Sequence, residues 1–368
     1  MRNLVKLGSL TSIRTGKLDA NASSENGKYP FFTCSKDPLR IDSYSYNCEC
    51  VLVAGNGDLN VKYYDGKFDA YQRTYIIEST DKSKLLVKYL YFFLDIYVEV
   101  LRTQSIGGVI KYIKLRNLTD AMMPLPSIEE QAVIVDRLEK CNDLRYRRIR
   151  QLAILDQLVK SRFIELFGDP VSNSYDLPEA TLPDLGKFGR GVSKHRPRND
   201  IKLLGGKYPL IQTGDVANAG LYITSYSNTY SELGLKQSKM WDKGTLCITI
   251  AANIAKTAIL EFDACFPDSV VGFTANERTN NIFIHYWFSF FQAILESQAP
   301  ESAQKNINLK ILSELKVIVP EKKKQDEFAS FVEATDKSKY YSQKFLTLCR
   351  SAVKIYEQEW MKCQTLNF

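Results

Sequence analysis

The tripeptide FDA stands at Phe68–Ala70 and again at Phe262–Ala264, an offset of 194 positions. Three shared letters mean little alone. The same offset, however, pairs Lys111 with Lys305, Ile113 with Ile307, Leu115 with Leu309, Leu118 with Leu312, Pro126 with Pro320 and Gln131 with Gln325. An internal repeat of this length constrains the fold more than composition does, because each copy must be a folding unit of its own. A second shared motif, GKYP, lies at Gly27–Pro30 and Gly206–Pro209; its offset of 179 requires about fifteen extra residues in the second copy between the two anchors, as loop insertions supply.

After Pro126 the chain runs without glycine or proline as far as Gly168. Apolar residues at three-to-four spacing (Ile134, Leu138, Cys141, Leu152, Leu155, Val159 and Leu166) predict one long helix. Arg145, Arg148 and Arg162 interrupt its seam, and Gly168 with Pro170 supplies the stop. Shifting the seam by 194 gives Phe328, Val332, Thr335, Lys339, Ser342, Leu346, Cys349, Val353, Tyr356 and Trp360, mostly apolar and in the same phase. Each helix spans roughly 35 residues, or about 50 Å. A helix so long with a single apolar stripe is not stable alone. The economical partner is the other copy's helix, since both leave their globular units at equivalent points. The competing reading packs each helix only on its own unit.

Within the units the pattern is mixed. Cys48–Ile77 reads as strands punctuated by GNGD and YDGK turns. A helix is expected over Leu85–Leu101, then the pair Gly107–Gly108, then a short strand through Val109–Leu115 leading to MPLP. The second copy repeats this with strands in Gly244–Ala264, a helix over Ile284–Gln298 and a last strand near Ile307–Val319. The fold class is α+β, with a small twisted sheet in each unit. In GKYP the glycine reads as a turn and the proline as the first residue of a strand, where no ladder donor is needed. From such a turn Lys28 and Lys207 could reach a phosphate.

Several function classes fall away. The longest apolar run, Tyr89–Leu101, is broken by Asp95 and Glu99, so no membrane span is expected. The start MRNLVKLGSL lacks the apolar core and cleavage site of a secretion signal, which points to the cytosol. Eight cysteines are scattered with no CxxC pair, and the two histidines, His195 and His285, lie 90 positions apart, so neither a disulfide framework nor a zinc site is expected. No nucleotide-binding GxxxxGK[ST] loop occurs, GNGD lacks a strand-turn-helix setting, and there is no Asn-Pro-Pro-aromatic tetrapeptide such as an amino-methyltransferase needs. A nuclease centre would have to draw on Pro267–Asp268 and Glu314–Lys316, in unremarkable surroundings. The formal charge of +7 permits a nucleic-acid partner without demanding one. Its placement says more. The stretch Gly186–Lys202 carries six basic residues against Asp200 alone, a cluster suited to phosphate contact or simply to a solvated loop.

These residues resemble the specificity subunits of type I restriction-modification systems, over essentially the whole chain. The resemblance is carried by GKYP, by MPLPSIEEQAVIVDRL (Met123–Leu138), by the helical run ending SRFIELFGDP (Ser161–Pro170), and by weaker second copies in VIVPEKKKQDEF (Val317–Phe328) and the terminal helix. Its most specific element is P-x-x-x-x-Q before a long helix; the second copy departs from it in reading VPEKKKQ where the first has PLPSIEEQ. The resemblance implies two target recognition domains, 1–126 and 171–320, each followed by a spacer helix, 127–170 and 321–368, with the helices pairing as an antiparallel coiled coil. It implies a non-catalytic subunit that recognises a bipartite site in double-stranded DNA. A helix of about 50 Å matches roughly 15 base pairs, which suits bridging two half-sites. Two methyltransferase subunits and, in the full complex, motor-nuclease subunits are the implied protein partners. These would carry S-adenosylmethionine and ATP, leaving no cofactor or metal on this chain.

Reading base edges needs polar loop side chains, and positioning on the backbone needs cations. The first unit offers Arg14, Lys17, Lys28, Asn56, Lys62, Gln72, Arg73, Gln104, Ser105 and Lys111. The second offers Arg190, Lys194, Arg196, Arg198, Gln212, Thr213, Asn253, Lys256, Gln304, Lys305 and Asn306. Such residues also populate any soluble surface. Lys111 and Lys305 stand out because both copies keep them. Two other function classes compete: a self-contained restriction nuclease, and a protein-interaction scaffold with no DNA role.

Overall fold

The structure is a computed structural model that describes residues 4–195, 197–198, 200–251, 253–298 and 307–362. The chain divides into two compact units: residues up to Ile149 together with those from Gln343 onward, and Arg150–Ser342.

The first unit opens with strands β1 (Leu4–Lys6), β2 (Thr11–Thr15), β3 (Tyr29–Phe32), β4 (Leu39–Ile41), β5 (Tyr46–Ala54), β6 (Val61–Ala70) and β7 (Thr74–Ser79). Helices α1 (Val87–Gln104) and α2 (Leu115–Thr119), strand β8 (Met122–Pro124) and the start of helix α3 (Ile128–Phe167) follow. Six strands form one sheet in the order β2-β7-β5-β6-β3-β4, and β1 pairs with β8. Both faces of β5 are covered, so Cys50–Ala54 is buried throughout and reads as an unbroken apolar run. On one face Val51, Val53 and Ile77 meet Leu90, Phe93, Leu94, Tyr97 and Leu101 of α1, and α3 adds Val135 and Leu138. On the other, Cys50, Leu52 and Ile76 pack with Phe32 and Phe68.

The second unit holds the end of α3, then β9 (Glu179–Thr181), α4 (Leu182–Leu185), β10 (Gly186–Arg190), β11 (Leu204–Leu210), α5 (Thr213–Asn218), β12 (Tyr222–Ile223), β13 (Asn228–Tyr230), α6 (Glu232–Lys236) and β14 (Met240–Trp241). Strands β15 (Leu246–Thr249), β16 (Thr257–Leu260), β17 (Ala264–Cys265) and β18 (Val270–Ala275) precede α7 (Asn281–Gln298), α8 (Leu309–Glu314), β19 (Lys316–Ile318) and α9 (Lys322–Lys362). Its sheets run β10-β18-β15-β16-β12 and β13-β11-β17-β14, with β19 paired to β9. The repeat is plain in three dimensions. Elements α7, α8, β19 and α9 begin 194 positions after α1, α2, β8 and α3. Strands β10, β18, β15 and β16 pair in the order of β2, β7, β5 and β6. Where β6 is continuous, the second copy is broken between β16 and β17, and the one sheet becomes two.

GKYP occupies equivalent strands. In each copy the strand pairs antiparallel with one neighbour, β4 or β13, and parallel with the strand carrying FDA or its end, through Phe31–Asp69, Phe32–Ala70 and Leu210–Cys265. The expectation of a glycine turn needs correction. Gly27 does close a turn onto Ser24, but Gly206 lies inside β11. What the two share is close approach: a Cβ would stand 2.3 Å from the Ile41 nitrogen at Gly27 and 2.4 Å from the Tyr230 oxygen at Gly206. Neither proline opens its strand as expected: Pro30 is the second residue of β3 and Pro209 the sixth of β11, each one place before the first parallel pair, where a missing N–H costs that ladder nothing.

The strand expected over Val109–Leu115 is absent. Instead Ile106 and Tyr112 exchange backbone hydrogen bonds of 3.0 and 2.9 Å around a loop, and the chain enters α2 at Leu115. In the second copy Leu309–Glu314 of the stretch expected as a strand is α8, and only Lys316–Ile318 pairs as a strand. Local capping overrides the β-branched composition. The Lys114 N–H donates to Asn117 Oδ1 at 2.8 Å, and Asn308 Oδ1 accepts from the Ile311 N–H at 2.9 Å.

Both long helices exceed the expected length, α3 at 40 and α9 at 41 residues. Gly168, at φ +72°, ends α3 by donating to the Ile164 carbonyl at 2.8 Å. Within the second unit the two helices run side by side in opposite directions. Arg162 pairs with Glu327 at 2.7 Å, and six residues earlier Asp156 pairs with Lys339, twelve residues later, at 2.5 Å. Between them Phe163 and Phe167 enclose Phe328, with ring centroids 5.4 and 5.7 Å apart, and Phe163 stacks on Phe283 of α7 at 5.4 Å. Arg162, one of the arginines that interrupt the seam, is thus accommodated by an ion pair with the facing helix. In the first unit Arg148 lies 5.3 Å from the centre of the Phe345 ring.

Candidate nucleic-acid interface

Backbone hydrogen bonds stitch four loops of the first unit into one ledge. The Gln72 N–H donates to Leu18 at 2.9 Å, Gly55 to Arg73 at 2.8 Å, Gly57 to Lys111 at 2.9 Å and Ile113 to Gly55 at 2.9 Å. Lys17, Asn56, Gln72, Arg73 and Lys111 are thereby brought together, Asn56 half-buried and the others exposed. Lys62 joins them through Asn60, which accepts from its ammonium group and donates to the Cys34 carbonyl at 2.8 Å. Burial holds the Lys62 ammonium below the usual lysine range.

The remaining candidates of this unit serve other contacts or stand apart. Arg14 on β2 pairs with Glu78 at 2.6 Å and lies 5.0 Å from the Tyr46 ring centre, so its charge is committed to the sheet. Gln104 accepts from Asn117 at 3.0 Å, and the Ser105 hydroxyl donates to the Arg102 carbonyl at 2.7 Å; both fasten the end of α1. Lys28 is exposed just before β3.

The second unit repeats one of these ties. The Ile307 N–H donates to the Ile250 carbonyl at 3.0 Å, as Ile113 does to Gly55. The adjoining turn, closed by Ala255 N–H to the Thr249 carbonyl at 2.9 Å, presents Asn253 to solvent. Lys256 instead donates to Gln292 at 3.2 Å and lines a cavity of about 350 Å³ with Asp156, Lys160, His285 and Lys339. There His285 meets the Thr257 hydroxyl at 2.9 Å, and burial, helped by the Lys339 charge, lowers its pKa to about 4.

In the basic stretch, Lys194 and His195 both donate their N–H groups to Gln237 Oε1, at 2.7 and 3.0 Å. Arg198 pairs with Asp268 at 2.5 Å, and Arg190 is exposed at the end of β10. Gln212 caps α5, its N–H reaching Asp215 at 2.8 Å, and Thr213 is the first residue of that helix. Lys207, from the second GKYP, pairs with Glu232 at 3.3 Å. Arg196, Gln304, Lys305 and Asn306 lie outside the described residues. Asp268 and Glu314, the carboxylates a nuclease centre would use, are taken up by ion pairs with Arg198 and Lys310. Among the described residues no group of His, Cys, Asp and Glu could hold a metal ion, and no helix is long and apolar enough to cross a membrane.

Each module is fastened to its long helix by one buried glutamine. Gln131 Nε2 donates to the carbonyls of Lys84 and Pro126 at 2.7 and 3.0 Å, while its Oε1 accepts from the Leu86 N–H at 3.0 Å. Gln325 Nε2 donates to Arg278 and Pro320 at 3.0 and 2.8 Å, and its Oε1 accepts from the Thr279 hydroxyl at 2.9 Å. Both side chains are fully buried and satisfied. This is the physical content of P-x-x-x-x-Q: the proline carbonyl that cannot enter the helix and a carbonyl from the loop before α1 or α7 share one amide. The sequence matches the family model of the type I restriction modification DNA specificity domain over residues 3–153 and again over 178–344. The chain belongs to this family.

Among its relatives is the type I restriction enzyme EcoDI specificity subunit of Escherichia coli, 42% identical over 137 residues, a match that covers 37% of this chain and 30% of that one. The EcoBI specificity subunit of Escherichia coli is 22% identical over 317 residues, 77% of this chain and 66% of the other. The fold is similar to that of the S subunit of a type I restriction-modification system from M. genitalium, with a TM-score of 0.68 at 18% identity, covering 98% of this chain and 95% of that one. Specificity subunits are the non-catalytic members of type I systems.

Seen as specificity domains, the two modules have features that no sequence pattern announces. Asn60 and Cys34 tie the Lys62 strand to the ledge, and Gln237 holds the basic loop of the second module. None of these residues belongs to a motif; each is defined by what folds against it. The exposed pair Val109 and Ile110 follows Gly107–Gly108, whose glycines signal a tight turn but not what stands on it.

Proposed function

We propose that the two modules each read one half of a split site in double-stranded DNA, at a separation set by α3 and α9 acting as an antiparallel coiled-coil spacer. The observation that supports this most is the duplicated glutamine anchor. One recognition module, used twice, is fixed to a long helix through the same buried contacts. In this reading the ledge of Lys17, Asn56, Gln72, Arg73 and Lys111 faces the first half-site. The turn at Asn253, the basic loop around Lys194 and the start of α5 at Gln212 serve the second.

The same chain would assemble two methyltransferase subunits, and motor-nuclease subunits in the full complex. S-adenosylmethionine and ATP would be held by those partners. Mapping methylated bases in a host genome tests the reading. A split motif with a constant gap is expected, and exchanging residues 1–126 for those of a relative should alter one half alone. A continuous motif, or a change in both halves, would refute it.

A further inference from the structure

The most exposed apolar side chains of the first module stand on one small loop. Val109 is 103% exposed and Ile110 62%, flanked by Ile106 at 42% and Tyr112 at 39%. The loop is braced. Ile106 and Tyr112 close its base with reciprocal hydrogen bonds of 3.0 and 2.9 Å, and Gly57 and Gly55 tie Lys111 and Ile113 to the ledge at 2.9 Å each. Gly107, at φ +118°, has the Ile110 carbonyl 2.5 Å from where a Cβ would stand, so only glycine permits the bend. Around Gly108 there is open space. Two branched aliphatic side chains are therefore held out in solvent on a short, fixed stem, an arrangement that folding alone does not favour.

What covers them follows from scale and charge. A tip of two side chains is far below the roughly 800 Å² a side that a stable protein interface buries. Its foot carries Lys111, while Gly55, which accepts from the Ile113 N–H, donates its own N–H to the Arg73 carbonyl, and the nearby carboxylate, Asp58, is paired with Arg102 at 3.4 Å. Small apolar wedges flanked by cations are what DNA-bending proteins insert between base steps, unstacking them. We infer that Val109 and Ile110 form such a wedge, entering a base step within the half-site read by the first module. This rests on the reading that the module binds DNA. In the second module Ala303 and Gln304 take the corresponding sequence positions, so the distortion belongs to one half-site only.

The test uses the full chain assembled with its methyltransferase subunits, on duplexes carrying the methylated sequence found in the host. 2-Aminopurine is placed in turn at each step of both half-sites, away from the methylated base. The expected result is a fluorescence rise at one step of the first half-site. It should vanish in Val109→Ser/Ile110→Ser, with binding about tenfold weaker or more, an unchanged salt slope and an unchanged Tm. A rise that persists in the double variant, or none in the first half-site, overturns the wedge even though specific binding remains. So does loss of affinity on replacing thymine by uracil with no unstacking, which would mark a methyl contact instead. Weaker assembly with the methyltransferase subunits, at unaltered DNA binding by the assembled complex, would assign the tip to a protein. Failure of the wild-type complex to bind any duplex specifically would instead remove the reading beneath it.

Discussion

Gln131 donates to the carbonyl oxygen of Lys84 at 2.7 Å, joining the first turn of a long helix to the loop that precedes α1. Gln325 repeats the contact with Arg278 at 3.0 Å. One side chain satisfies three backbone groups in the first copy, so its loss strands several buried polar groups at once.

Gln131→Leu should therefore cost about 2–4 kcal/mol, since an unsatisfied buried group costs about 1–3 kcal/mol and water can reach some of those released. Gln325→Leu should cost a similar amount in the second module. Urea unfolding of the two variants is the measurement, and a shift under 0.5 kcal/mol in either would show that the motif is not an anchor.

Phe163 lies among Phe167, Phe283, Phe290 and Phe328 and is fully buried. Phe163→Ala should lower stability by about 3–5 kcal/mol through lost burial and the cavity left behind. Phe163→Leu should cost clearly less. Equal losses would mean that the cluster collapses around the gap, which a comparison of unfolding midpoints detects.

Lys111 and Arg14 make opposite predictions. Lys111 is exposed on the ledge, whereas Arg14 already pairs with Glu78. In DNA titrations from low to moderate salt, Lys111→Ala should reduce the slope of log K against log salt by about 1. Arg14→Ala should leave the slope unchanged.

His285 gives the second module an acid limit. Its imidazole titrates at 6.5 when unfolded and at about 4 when folded, so between those values the unfolded chain binds more protons. The contribution is complete above pH 6.5 and is lost as the pH falls toward 4; at about 1.4 kcal/mol per pH unit it reaches at most about 3–4 kcal/mol. Stability measured against pH should fall more steeply in this window for the native chain than for His285→Gln. Parallel curves would count against a neutral histidine in this half-buried site.

Much of this was legible in the sequence because repetition makes structure visible. The 194-residue offset paired α7 and α9 with α1 and α3, and the P-x-x-x-x-Q motif marked where each long helix starts, whereas α2 begins and α8 lies where strands were expected. Non-local backbone contacts were not legible. The glycine of GKYP faces Ile41 and Tyr230, which no local pattern announces. The break between β16 and β17 surrounds Asp263, whose carboxylate accepts from the Lys243 N–H at 2.8 Å, a partner 20 residues away. The run Val109–Leu115 reads as a strand by composition, yet a glycine bend and an asparagine cap decide it. For the site, sequence could supply residue types but not the stitching that gathers Lys17, Arg73 and Lys111 while diverting Arg14 and Gln104 elsewhere.

The division of the chain also dictates an order of birth. Arg150–Ser342 is a continuous segment and is complete once Ser342 has left the ribosome, whereas the other unit joins residues up to Ile149 with those from Gln343 onward. At about 5–20 residues per second, the gap between Ile149 and Gln343 lasts roughly 10–40 s. The half synthesised first is thus the last to be finished, and during that interval the face of α3 awaiting its partner is open to nascent-chain chaperones.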